Sequence, residues 1–99
     1  MSTKKLPEML TKHRKSMTLG RLLASIRQCE EMTQGDFASL LGVSKQYLCD
    51  IEHERRFISP KVAEAFAKKT GYSSAQFVRL CLQGMLRRDG IRYEVELVA

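Results

Sequence analysis

Apolar residues return along most of this chain at three- and four-residue steps, and near its end at steps of two. Leu19, Leu22, Leu23, Ile26 and Cys29 share one face of a helix. That spacing predicts a first helix from Leu19 to Glu31 with Thr18 as its cap. Thr33 caps a second helix, with Asp36 three residues on in an approximate capping box, and Phe37, Leu40 and Leu41 form its apolar side. Gly42 stands where a helix would end in the left-handed conformation. Only one residue later Ser44 caps a third helix, in which Leu48 and Ile51 share a face. The stretch "HERRF" is charged and loop-like. Ser59-Pro60 opens a fourth helix, with proline at a position whose missing N–H costs nothing, and Gly71 ends it. Ser73 with Gln76 forms a capping box for a fifth helix, "AQFVRLCLQGMLRR". From Ile91 to Leu97 apolar and polar residues then alternate strictly, the signature of a strand. The pattern predicts an all-α chain of five helices closed by a C-terminal β-strand.

Two features of this pattern do not suit an isolated chain. Helix five carries Phe77, Val78, Leu80, Cys81, Leu82, Met85 and Leu86 around most of its circumference, whereas a surface helix needs one apolar stripe. The strand has no sheet to join, and an unpaired edge is a liability. Both are satisfied by a homodimer built through helix five and the C-terminal strand. The alternative pairs the strand with the N-terminal segment of its own chain.

Length and charge narrow the function. Ninety-nine residues make one domain, too small for a roomy pocket between lobes. No serine–histidine–aspartate set, paired carboxylates or glycine-rich phosphate loop stands out, so the expectation is no enzyme and no cofactor. No run approaches the length of a membrane span, and no apolar stretch follows the basic N-terminus as in a signal peptide. The three cysteines are scattered and odd in number, which suits reduced thiols in a cytoplasm. Cys49 and His53 have the four-residue spacing that metal sites use, but two ligands do not close a site. Net charge is +6, and five Lys/Arg face one Glu between Lys4 and Lys15, a balance that suits a polyanion. The chain therefore reads as a basic arm over residues 1–17, a helical domain over 18–88 and a dimerising strand over 89–99.

The segment "TQGDFASLLGVSKQYLCDIE" carries the chemistry. Ala38 is small enough for the third helix to approach the second, Gly42 permits the sharp turn, and Leu48 and Ile51 pin the third helix inward. These are the marks of a helix-turn-helix, whose second helix enters the major groove of DNA. At 100° per residue, Lys45, Gln46, Cys49 and Asp50 turn outward. Lysine and glutamine are side chains that read guanine and adenine edges.

The same segment resembles the Cro and lambda-repressor type of helix-turn-helix, the Xre family. Gln34, Ala38, Gly42, Leu48 and Ile51 sit at the family's spacing, followed by the "IE" of Ile51-Glu52. The resemblance covers about residues 18–86 and implies a five-helix DNA-binding domain. It implies that Gln34 contacts a phosphate, that Ser44, Lys45, Gln46, Cys49 and Asp50 read bases, and that Tyr47 reaches a phosphate or a thymine methyl. Arg55, Arg56 and Lys61 would clamp the DNA backbone, and Glu52 would form a buried pair with Arg27. One departure stands out: the family commonly has glycine two residues beyond the "IE", where this chain has Glu54. A dimeric, cytoplasmic repressor of its own or a neighbouring operon follows as the expected function. The rival is an antitoxin that binds a toxin partner and represses their shared operon, for which only the basic arm and the C-terminal strand are at hand as a binding surface.

Overall fold

Among the described residues, a serine or threonine hydroxyl starts every helix. The computed structural model describes residues 17–98. Within them lie α1 (Leu19–Cys29), α2 (Gln34–Leu41), α3 (Lys45–Glu52), α4 (Pro60–Thr70) and α5 (Ser74–Arg88). The side chains of Thr18, Thr33, Ser44, Ser59 and Ser73 each accept a hydrogen bond from a backbone N–H in the first turn that follows. Each bond satisfies one donor that the helix cannot satisfy itself. None of the five helices is long and apolar enough to cross a membrane.

The helix C-termini divide by residue type. Gly42 and Gly71 end α2 and α4 in the left-handed region, at φ 78° and 81°, as expected. Two glutamates do the same work elsewhere. Glu31 after α1 and Glu54 after α3 have φ of 55° and 61°. At Glu54 the chain closes as it would on glycine: Arg55 N donates to Asp50 O at 2.7 Å, and Glu54 N to Ile51 O at 3.0 Å. The departure at Glu54 is thus absorbed by strain in one residue, and the loop keeps the course a glycine would give it.

The described residues fall into two compact units, one up to Phe57 and one from Ile58 on. The first packs α1 and α2 against α3. Its core is Leu22, Leu23, Ile26, Phe37, Leu41, Leu48 and Ile51, all at most a few per cent exposed. At Gly20 the approach of α1 to α3 is limited by backbone: a Cβ there would run into the carbonyl oxygen of Ile51. The second unit packs α4 against α5 through Ala63, Phe66, Ala67, Phe77 and Leu80. Cys81 is buried there, its thiol donating to Ile58 O at 3.1 Å, and burial raises its pKa above the ordinary thiol value.

The C-terminal segment corrects the sequence reading. Residues 91–98 form no strand in the described structure. Gly90, at φ 75°, turns the chain back after α5, with Ile91 N donating to Leu86 O at 2.9 Å. The segment is then held by a side chain instead of a neighbouring strand. Gln83 Nε2 donates to Tyr93 O at 2.7 Å, and Val95 N donates to Gln83 Oε1 at 2.8 Å. A side-chain amide carries the same donor and acceptor as a peptide group, so one glutamine replaces one rung of a ladder. Alternation in the sequence does not say what pairs with the backbone. The tail thus folds back on α5 at Leu86 and Gln83. Met85, Ile91, Tyr93, Leu97 and Val98 nevertheless stay exposed. Pairing of the tail with the N-terminal arm lies outside the described residues.

Candidate nucleic-acid interface

The turn between α2 and α3 is built by backbone. Val43 N reaches Ala38 O at 3.0 Å and Gly42 N reaches Ser39 O at 3.1 Å, which closes α2 on left-handed Gly42. Ser44 then caps α3 through Tyr47 N at 3.0 Å. Because Leu48 and Ile51 are buried, the rotation of the helix exposes Lys45 and Gln46 and leaves Tyr47, Cys49 and Asp50 half-buried. Ser44, Lys45, Gln46, Tyr47, Cys49 and Asp50 therefore lie together on one short helix and its cap. Arg55 and Arg56 are exposed just beyond its C-terminus. Lys61 is exposed on the first turn of α4, in the other unit.

A buried ion pair holds α3 in place from the other side. Arg27 Nε and Nη2 donate to Glu52 Oε2 and Oε1 at 3.0 and 3.1 Å, a two-pronged pair that fixes geometry as well as charge. The Glu52 side chain is 4% exposed and that of Arg27 18%. Gln34 joins them: its Nε2 donates to Glu52 Oε1 at 3.0 Å. The side chain assigned to a phosphate thus spends one amide hydrogen on the core carboxylate and keeps a second hydrogen and an oxygen. Arg27 also reaches Met32 O at 3.4 Å, which ties the loop after α1 to the same cluster.

The outward face is linked within itself. Gln46 Nε2 donates to Asp50 Oδ1 at 2.9 Å, and Arg55 pairs with the same oxygen, Nη2 at 3.1 Å. The Gln46 amide above all holds the Asp50 carboxyl below its ordinary value, against desolvation, and the Arg55 and Arg56 guanidinium groups add to the lowering. Arg56 stacks over the ring of Tyr47, 4.5 Å from its centroid. Cys49 Sγ lies 3.5 Å from both Arg55 Nη2 and His53 Nδ1. Among the described residues no group of three metal-ligating side chains forms around that pair.

Sequence reasoning named most of these residues and, through the resemblance, the Arg27–Glu52 pair, but missed the links of Gln34 to Glu52 and of Asp50 to Gln46 and Arg55. Gln46 and Asp50 are four apart on a helix, a spacing at which glutamine and aspartate pair, so that link had a signal. The Gly20 contact had a weaker one, an isolated glycine inside a helical pattern.

Two capped helices at a left-handed glycine turn, the second seated by apolar residues and outwardly polar, define a helix-turn-helix, the module that places a helix in the major groove. Residues 18–81 match the family model described as a helix-turn-helix domain, well over half of the chain, and the protein belongs to that family. No curated protein and no solved structure gives a significant match.

Proposed function

We propose that this protein is a sequence-specific transcriptional regulator of the Cro and lambda-repressor type, a dimeric cytoplasmic repressor that reads a near-palindromic operator through the major groove. The observation that carries the reading is the seating of α3: Leu48 and Ile51 are buried while Lys45 and Gln46 are exposed on the first turn, where base edges are met. Arg55 and Arg56 supply positive charge beyond the helix. Repression is steric, the bound dimer covering the site that polymerase needs.

The dimer is supported by the apolar side chains that the second unit leaves in solvent. Tyr93 is 75% exposed and Val98 90%, beside Met85, Ile91 and Leu97. Inverted half-sites one turn of DNA apart would ask a dimer to present its two recognition helices about 34 Å apart.

Selection of bound sites from a random DNA pool tests the reading. A motif with inverted half-sites is expected. On that site Lys45→Ala or Gln46→Ala should cost roughly 1–3 kcal/mol and relax one base position. Arg56→Ala should weaken all sequences alike and flatten the salt dependence. Equal losses on operator and scrambled DNA for Gln46→Ala would remove its reading role. Tyr93→Asp should shift the protein to monomer in sedimentation without unfolding it; a Tyr93→Asp protein that stays dimeric would exclude this surface.

A further inference from the structure

We infer that Asp50 reads no base itself and instead sets the specificity of Gln46, fixing its amide for adenine while holding Arg55 back from the DNA backbone. This rests on the DNA-reading function proposed above.

The argument begins with the chemistry of the two groups. An ionised carboxylate accepts hydrogen bonds and donates none. The Gln46 amide, 2.9 Å from Asp50 Oδ1, must therefore turn its NH2 group toward Asp50 and its oxygen away. Without that contact an exposed glutamine amide is free to present either end. With it, one amide hydrogen is occupied by Asp50, and the outward edge carries the oxygen and the second hydrogen side by side. That pair matches adenine, which offers a donor at N6 and an acceptor at N7 in the major groove. Guanine offers two acceptors there, so the outward oxygen would face another oxygen.

The same Asp50 oxygen pairs with Arg55, which is exposed and points back along α3 toward it. An arginine held by a neighbouring carboxylate neutralises a phosphate less well than a free one. Asp50 also places a negative charge on a face meant for a polyanion. Both effects weaken sequence-independent binding, while the orientation of Gln46 strengthens one sequence. Asp50 thereby widens the gap between specific and non-specific DNA.

The test compares DNA pools selected by the full chain and by four variants, with folding checked by circular dichroism. Wild type should fix adenine at one position of each half-site. Gln46→Ala and Asp50→Ala should relax that same position, by roughly 5- to 150-fold against the best competitor base. The double variant should do no more than either single one. Asp50→Asn keeps an acceptor oxygen and should recover part of the preference. On random DNA Asp50→Ala should bind more tightly than wild type, with a salt slope steeper by about one phosphate contact. A merely structural aspartate would change neither the base preference nor that slope. An Asp50→Ala pool identical to wild type overturns the inference, as does relaxation at a position that Gln46→Ala leaves fixed. A wild-type pool with no preferred sequence instead overturns the DNA-reading function itself, and this inference with it.

Discussion

Gly20 in α1 and Gly84 in α5 both interrupt a helix, and the two units treat them in opposite ways. At Gly20 a Cβ would strike the backbone of Ile51, whereas at Gly84 it would meet nothing within 4 Å. The contrast runs through the units that contain them. The first is closed down to backbone contact, and its buried charge is paired three ways. The exposed face of α3 is polar and internally linked. The second keeps Met85, Ile91, Tyr93, Leu97 and Val98 in solvent, against Leu40 and Phe57 in the first, and holds its tail by one glutamine. Packing is tight where a helix must be presented at a fixed angle. It is open where, on the proposed reading, a second chain completes the surface.

Breaking the ion pair should give the largest effect. Arg27→Ala strands a carboxylate that is 4% exposed, with only Gln34 left to donate to it. A loss of about 3–5 kcal/mol is expected in denaturant unfolding. Glu52→Ala should cost less, since the Arg27 it strands is 18% exposed and still reaches Met32 O. The reverse order would show that the Arg27 side chain is the more deeply dependent partner.

The same substitution in the two units sharpens the comparison next. Gly20→Ala forces α1 off α3 and should destabilise by about 1–3 kcal/mol. Gly84→Ala should stabilise by up to ~1 kcal/mol, because alanine is the better helix former and the space is open. Thermal midpoints that move the same way for both would erase the distinction between the units.

Much of this was legible beforehand, because the devices that start and stop helices are local. Thr18, Thr33, Ser44, Ser59 and Ser73 cap where the sequence placed them, and Gly42 and Gly71 end helices as read. The pairing of Arg27 with Glu52 was expected from a resemblance, not from periodicity. What the sequence could not display was non-local. The carbonyl above Gly20 belongs to a residue thirty-one positions away, as Gly20 and Ile51 show. The alternation from Ile91 to Leu97 reads as a strand, but period two does not say whether a neighbouring strand is there to pair with, and Ile91, Tyr93 and Leu97 stay exposed. Most of the residues named as candidates lie together on α3 and just beyond it, but the links among Gln46, Asp50 and Arg55 needed the geometry.

A smaller gain should come from the strained helix ends. A left-handed L-residue costs roughly 1–2 kcal/mol, part of which glycine returns as entropy of the unfolded chain. Glu54→Gly should therefore raise stability by about 0.5–1 kcal/mol, seen as a shift in denaturant midpoint at unchanged slope. No gain would mean that the Glu54 side chain makes contacts worth as much as the strain.

The single glutamine that grips the tail also dictates which changes in length the gene can accept there. Gly90 fixes where the chain turns, and Gln83 fixes where it is next held, with Tyr93 and Val95 in its grasp. Between those two points an extended chain keeps the same backbone groups turned toward Gln83 only if it grows or shrinks by an even number of residues. One residue inserted after Ile91 would turn the gripped carbonyl and N–H away from Gln83. Two would merely bulge. Amide exchange at the gripped position should stay protected in the two-residue insertion and speed up in the one-residue insertion. The tail of this protein is thus expected to drift in length by codon pairs, while the recognition segment, closed at both ends by capped helices, drifts in identity alone.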